Sequence, residues 1–99
     1  MELINPLAES YASAFSANED VLLKEINEYT TKHHAQPHML SGQVQGQLLS
    51  SISQLLRPKR ILEIGTFTGY SALCLAQGLQ SGGMLYTLEL REEDAAVAK

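Results

Sequence analysis

Apolar residues recur at helical spacing through the first half of the chain and in short dense runs through the second. Asn5-Pro6 reads as an N-cap followed by proline at the first helical position, where a missing N–H is harmless. Leu7, Tyr11, Ala14 and Phe15 then mark one side of a helix. Asn18, with Glu19 and Asp20 behind it, predicts a second helix start, because acids in a first turn complement the helix dipole. Its apolar stripe is Val21, Leu22, Ile26 and Tyr29; polar residues 30–36 let it fade, and Pro37 ends it. Ser41 is placed as the cap of a third helix, with Val44, Leu48, Leu49, Ile52, Leu55 and Leu56 as core and Pro58 as its stop.

The texture changes after Pro58. Residues 60–64, Arg-Ile-Leu-Glu-Ile, form a short apolar run bounded by Pro58 and Gly65, the pattern of a buried parallel strand. Residues 70–79 are helical in pattern, Ser81-Gly82-Gly83 is a turn, and residues 84–89 make a second strand. A further helix opens at Glu92, acids first and Ala96 and Val97 following. There is no internal repeat and no low-complexity segment. Three helices followed by β-α-β-α are the beginning of an α/β fold.

Composition narrows the class. The 99 residues are 44% apolar and 18% charged, enough core-forming material for one small folded unit. Seven basic against 11 acidic side chains, a formal charge of -4, argue against a nucleic-acid partner, which needs a clustered basic surface. A small anionic ligand held by backbone groups stays compatible with that balance. A single cysteine, Cys74, excludes an intramolecular disulfide framework and a Cys-rich zinc site. The acidic, proline-broken start is unlike a signal peptide, and no apolar run approaches the roughly 18 residues of a membrane helix. The expectation is a soluble, cytoplasmic protein.

Chemistry concentrates in Glu63-Ile64-Gly65-Thr66-Phe67-Thr68-Gly69-Tyr70-Ser71, which runs from a strand through a glycine turn into a helix. Glycine directly after a strand lets the backbone turn and approach a ligand with no Cβ in the way. The start of the next helix favours a carboxylate or phosphate, and Ser71 adds a hydroxyl donor. Glu89 ends the second strand, where doubly wound folds place an acid that accepts from ribose hydroxyls. Together these predict a nucleoside site at the carboxyl ends of parallel strands.

Departures from the dinucleotide fingerprint G-x-G-x-x-G choose between nucleosides. Gly65 and Gly69 are four apart, and Phe67 stands where a pyrophosphate needs bare backbone. Glu63 would repel a pyrophosphate but suits a ligand ammonium, while the helix start and Ser71 suit that ligand's carboxylate. S-adenosylmethionine carries both groups and a ribose for Glu89, so the electrostatics favour it over NAD. Two other classes stay open: an NAD(P)-dependent oxidoreductase on the same turn, and a non-enzymatic interaction module.

Residues 62–71, Leu-Glu-Ile-Gly-Thr-Phe-Thr-Gly-Tyr-Ser, resemble the first motif of the cation-dependent O-methyltransferases, the family of catechol and caffeoyl-CoA O-methyltransferases. The resemblance runs back through Met39 and Ser41 to Gly46-Gln47 and forward to Glu89, covering roughly residues 38–99. It implies a Rossmann-like class I methyltransferase fold, with residues 1–57 as a helical amino-terminal segment and 58–99 as the start of the cofactor-binding fold. It implies that Glu63, Gly65 and Thr66 line the methionine side of S-adenosylmethionine, that Ser71 holds its carboxylate and that Glu89 takes its ribose. Ser41 would touch the methionine end, and Met39 would lie near the sulfonium and the acceptor. Gln45 stands where relatives often carry an acid. The implied reaction is methyl transfer to a hydroxyl of a small, catechol-like acceptor, with a divalent cation, Mg²⁺, lowering the acceptor's pKa. The family's metal ligands, its catalytic lysine and most of its acceptor pocket would come after Lys99, so no residue of this chain is expected to be catalytic or to bind the metal. Relatives dimerise, so a homodimer is expected, and the apolar face of the third helix could serve it.

The remaining candidates carry less. His33 and His34 point to different sides of a helix and His38 lies beyond Pro37, so they are taken as a polar, solvated linker in preference to a metal site. Cys74, between Leu73 and Leu75, is expected to be a buried small hydrophobe, and Tyr70 to pack the helix start. Two strands make about a third of a doubly wound sheet and leave apolar edges uncovered. The chain is therefore expected to be the amino-terminal part of one methyltransferase domain: inactive alone, and poorly folded, swapped with a second copy or completed by a remainder.

Overall fold

A computed structural model describes residues 5–99. The expectation about the amino-terminal start concerns residues that lie largely outside the described residues. The elements follow the expected order: helices α1 (Pro6–Ala14), α2 (Val21–His33) and α3 (Gly42–Leu56), strand β1 (Arg60–Ile64), helix α4 (Tyr70–Ala76), strand β2 (Met84–Leu88) and helix α5 (Glu92–Ala98). A 3₁₀ turn, Pro37–Met39, joins α2 to α3. The strands pair in parallel, Arg60 opposite Met84 through to Ile64 opposite Leu88. Gly65 N–H donates to the Leu88 carbonyl at 2.8 Å, carrying the ladder one residue into the turn.

Helix ends differ from expectation in ways that local chemistry explains. Asn5 caps α1 as expected, its side chain accepting from Leu7 N–H at 2.8 Å. The second cap is Asp20 and not Asn18: its carboxylate accepts from Leu23 N–H at 2.8 Å, so α2 begins at Val21. Ser41 sits at the N-cap of α3, but its backbone is already helical and its side chain caps nothing. The helix expected over 70–79 stops at Ala76, where tight bonds from Gln77 N–H to the Cys74 carbonyl and from Leu79 N–H to the Ala76 carbonyl close the last turn.

The core takes Ile26 and Leu49 from the expected apolar stripes, but most of it lies elsewhere. On α3 Leu48, Ile52, Leu55 and Leu56 face outward, with Leu55 84% exposed, while Leu49 packs against the core and Gly46, Ser50 and Ser53 are buried. Small residues at i, i+4 and i+7 let α4 approach closely. A Cβ on Gly46 would sit 2.8 Å from Tyr70 Cε1 and 2.9 Å from Cys74 Sγ. Ser53 donates to the Leu75 carbonyl and accepts from Gly78 N–H at 3.0 Å, satisfying polar groups that the close approach buries. On α2 the buried residues are Leu23 and Thr30, while Val21, Leu22 and Tyr29 are exposed. Helix α1 buries nothing.

Strand β1, expected to be buried, is half covered. Ile61, Glu63, Leu85 and Thr87 lie on the α4 side, whereas Leu62, Ile64, Tyr86 and Leu88 face solvent, Ile64 at 83% exposure. Each strand alternates strictly because a helix packs on one face only.

Candidate functional site

Gly65 turns the chain off β1 with φ +92°, and a Cβ there would meet open space. Phe67, two residues on, holds φ +53°, a left-handed conformation that a bulky residue adopts only when its surroundings fix it. Gly69 returns the chain to α4 with φ +93°. This turn carries Thr66, Thr68 and Tyr70, all buried, so that polar side chains brace it from beneath.

Beneath the turn runs a chain of hydroxyls ending on Glu63. Thr87 donates to Glu63 Oε1 at 2.8 Å, and Thr66 therefore donates its own proton to Thr87 Oγ1 across 2.6 Å. Ser71, in the first turn of α4, donates to Glu63 Oε2. Each carboxylate oxygen thus has a partner and keeps a further lone pair. The sequence placed Glu63 and Ser71 on one ligand; the structure also joins them to each other.

Glu89 stands one residue past β2, and the turn reaches it directly. Phe67 N–H donates to its Oε1 at 2.7 Å, and Arg91 N–H to its Oε2 at 3.1 Å. The backbone N–H groups of Arg91 and Phe67, with smaller help from Thr66 and Leu90, hold the Glu89 carboxyl below its ordinary value. It stays ionised, an acceptor with lone pairs for ligand hydroxyls.

Two cavities open from the turn. The smaller, about 110 Å³, is lined by Met39, Leu40, Ser41, Gly65, Thr66, Phe67, Tyr70 and Ser71. It gathers Met39, Ser41, Gly65, Thr66 and Ser71, five of the seven residues singled out from sequence. The larger, about 790 Å³, lies on the other side of Thr66 and includes Glu89 with residues of α2, α4 and α5. Glu63 lines neither and acts through Ser71 and Thr87.

Sequence reasoning missed several members of this assembly. Tyr70 packs as expected, but its hydroxyl also donates to Glu19, which accepts from Asn27 Nδ2 at 3.1 Å. Burial first, and then that bond to Glu19, push the Tyr70 phenol well above its ordinary value. Cys74 is buried as expected, and burial, with the acids Asp20, Glu19 and Glu63 nearby, pushes its thiol up to about 11. His34 is not part of a solvated linker: its ring donates to Asp94 at 2.9 Å and its side chain is 11% exposed. Nothing local in the sequence announces that pair, which lies 60 residues apart. Among the described residues no group of three or more His, Cys, Asp or Glu side chains could hold a metal ion.

A parallel β-α-β unit with a glycine turn and an acid at the end of the second strand defines a Rossmann-like nucleoside-binding fold. Residues 13–99 match the O-methyltransferase family profile. The chain is 36% identical over 89 residues to the catechol O-methyltransferase domain-containing protein 1 of Mus musculus, covering 90% of this chain and 33% of the relative. It is 37% identical over 81 residues to a catechol O-methyltransferase of Niastella koreensis, covering 82% and 36%. The crystal structure of an O-methyltransferase from Bacillus cereus in complex with SAH superimposes with a TM-score of 0.81 at 35% identity, covering 93% of this chain and 41% of that one. The chain belongs to the O-methyltransferase family. It spans about a third of the length of these curated relatives.

Proposed function

We propose that this chain carries the cofactor-binding part of an S-adenosylmethionine-dependent O-methyltransferase acting on a hydroxyl of a small, catechol-like molecule. The observation that carries it is the clamp of Phe67 N–H and Arg91 N–H on Glu89, set beside a turn whose Gly65 leaves open space for a ligand. The donor set fits the cofactor. Glu89 suits the ribose hydroxyls; Ser41, Gly65, Thr66 and Ser71 suit the methionine end, and Glu63, set behind Ser71 and outside the cavity, biases that end towards the ligand's ammonium. Met39, on the rim of the smaller cavity, would lie towards the acceptor. When bound, S-adenosylmethionine supplies an electrophilic methyl group on its sulfonium. The chain's own part is binding and orientation, the contribution that turns a bimolecular collision into a positioned transfer.

The oxidoreductase alternative has no comparable support, since the side chain of Phe67 crowds the turn where a pyrophosphate needs bare backbone. We place residues 1–57 as the helical amino-terminal segment and 58–99 as the start of the cofactor-binding fold. A divalent cation, Mg²⁺, belongs to this reading with ligands beyond residue 99. Among the described residues no group of three or more His, Cys, Asp or Glu side chains offers it a site. A homodimer in the cytoplasm completes the proposal. No helix among the described residues is long and apolar enough to cross a membrane.

Calorimetry of the purified protein with S-adenosylhomocysteine and with NAD tests it. Binding of S-adenosylhomocysteine alone is expected, and tight NAD binding without it would refute the proposal. Glu89→Ala should weaken S-adenosylhomocysteine by about 1–3 kcal/mol, the range for hydrogen bonds to a charged group. Because the carboxyl is held low, binding should persist at mildly acid pH. The Glu89 contribution is present above the ordinary carboxylate value of 4.5 and is lost as the pH falls through the depressed one. A catechol and Mg²⁺ offered to the 99-residue chain alone should give no turnover.

A further inference from the structure

The glycine turn is gripped at two points, by Thr30 in α2 and by His34, the residue that ends that helix. Thr30, fully buried, donates to the Ile26 carbonyl at 2.7 Å and so accepts from Thr68 at 2.9 Å. Four residues on, the His34 ring meets the Phe67 ring edge-on, centroids 4.4 Å apart at 61°. Gln36 N–H donates to His34 Nδ1 at 2.9 Å, so the proton sits on Nε2, which donates to Asp94 Oδ1 at 2.9 Å.

Asp94 connects this grip to the other side of the site. It lies in the first turn of α5, its side chain 6% exposed, and its second oxygen is buried without a hydrogen-bond partner. Arg91 Nε stands 3.6 Å from that oxygen. The Arg91 backbone N–H holds one Glu89 oxygen and the Phe67 backbone N–H holds the other. The contacts close into a ring: His34, Asp94, Arg91, Glu89, Phe67 and back to His34. Without His34, the left-handed Phe67 would lose the ring packed on it, and its N–H would be free to leave Glu89.

We propose that His34 is a positioning residue for the nucleoside half of the cofactor, acting through Phe67 and Asp94 to fix the carboxylate of Glu89. The proposal rests on the cofactor reading above. A merely structural brace would lower the melting temperature and leave the affinity of the folded protein alone. A positioning role makes the effect of His34 depend on Glu89.

The test is the dissociation constant for S-adenosylhomocysteine in wild type, His34→Ala, His34→Gln, Glu89→Gln and the double variant His34→Ala/Glu89→Gln, with folding checked by circular dichroism. His34→Ala should weaken binding about tenfold, the scale of one charge-assisted hydrogen bond. His34→Gln, which keeps a donor for Asp94 but loses the ring on Phe67, should fall between that variant and wild type. In the Glu89→Gln background the loss from His34→Ala should shrink to less than about twofold. An unchanged constant in folded His34→Ala overturns the proposal, as does a full tenfold loss that persists without the Glu89 charge. Should His34→Ala fail to fold, wild-type affinity in His34→Gln overturns it equally. A wild-type protein that binds no S-adenosylhomocysteine refutes the cofactor reading itself, a different result from any of these.

Discussion

The two ends of the β-α-β unit's surroundings are built to opposite rules. Around the glycine turn, polar groups are buried or half-buried and paired: Thr30 with Thr68, Thr66 with Thr87, Glu63 with Ser71 and Thr87, His34 with Asp94. Across the far face of the sheet, apolar groups are bare: Leu62, Ile64, Tyr86 and Leu88 all lie more than half exposed. Usual burial preferences are inverted in both places. At the turn the inversion is compensated by hydrogen bonds at all but one buried oxygen, Asp94 Oδ2, which fixes geometry where a ligand must be oriented. On the sheet face nothing compensates it, and burial there would stabilise the protein without touching the site. The difference separates residues kept for positioning from residues kept for packing.

The largest effect is expected where the turn's supporting helix is pressed against its neighbour. A Cβ on Gly78 would lie 2.1 Å from the Ser53 carbonyl oxygen, backbone against backbone with no side chain free to yield. Gly78→Ala should therefore destabilise by about 3 kcal/mol or more in urea unfolding, beyond ordinary overpacking. A loss under about 1 kcal/mol would show that α3 and α4 separate easily, and the rigidity ascribed to the turn would lose its foundation.

Gly78 also marks the limit of what the sequence disclosed. Element order, the parallel pair, the cap at Asn5 and the strand limits at residues 60–64 were legible, because each rests on a local signal: proline, glycine or apolar density. The turn itself was legible too, from Gly65 and Gly69, both of which hold positive φ. The core was not. The stripe Val44, Leu48, Ile52 and Leu55 has the right period for burial, yet α3 packs through Gly46, Ser50 and Ser53. Small residues at helical spacing signal a close approach only when the partner is known, and hydropathy ranks them low. The His34–Asp94 pair was hidden for a related reason, since tertiary pairs across 60 residues leave no periodicity.

The buried hydroxyl pair offers a sharper cut. Thr30→Val removes the acceptor of Thr68 and leaves that hydroxyl buried alone, which should cost about 1–3 kcal/mol. Thr68→Val should cost less, since Thr30 keeps the Ile26 carbonyl. The double variant should be more stable than the sum of the two losses predicts, because apolar groups of the same shape can replace a satisfied pair at little cost. Simple additivity would mean the hydroxyls do not interact, and the grip of α2 on the turn would reduce to contact alone.

The smallest effect is expected on the bare face, and its smallness is what matters. Ile64→Thr and Tyr86→Thr alter side chains 83% and 53% exposed, so each should change the stability of the purified protein by less than about 0.5 kcal/mol. Thermodynamics alone then distinguishes an uncovered surface from a covered one. A loss of 2 kcal/mol or more from Ile64→Thr would be the signature of a buried side chain. The face would then have a partner in the protein as purified, and the contrast between a compensated turn and an uncompensated sheet would give way to two faces, each completed by its own chemistry.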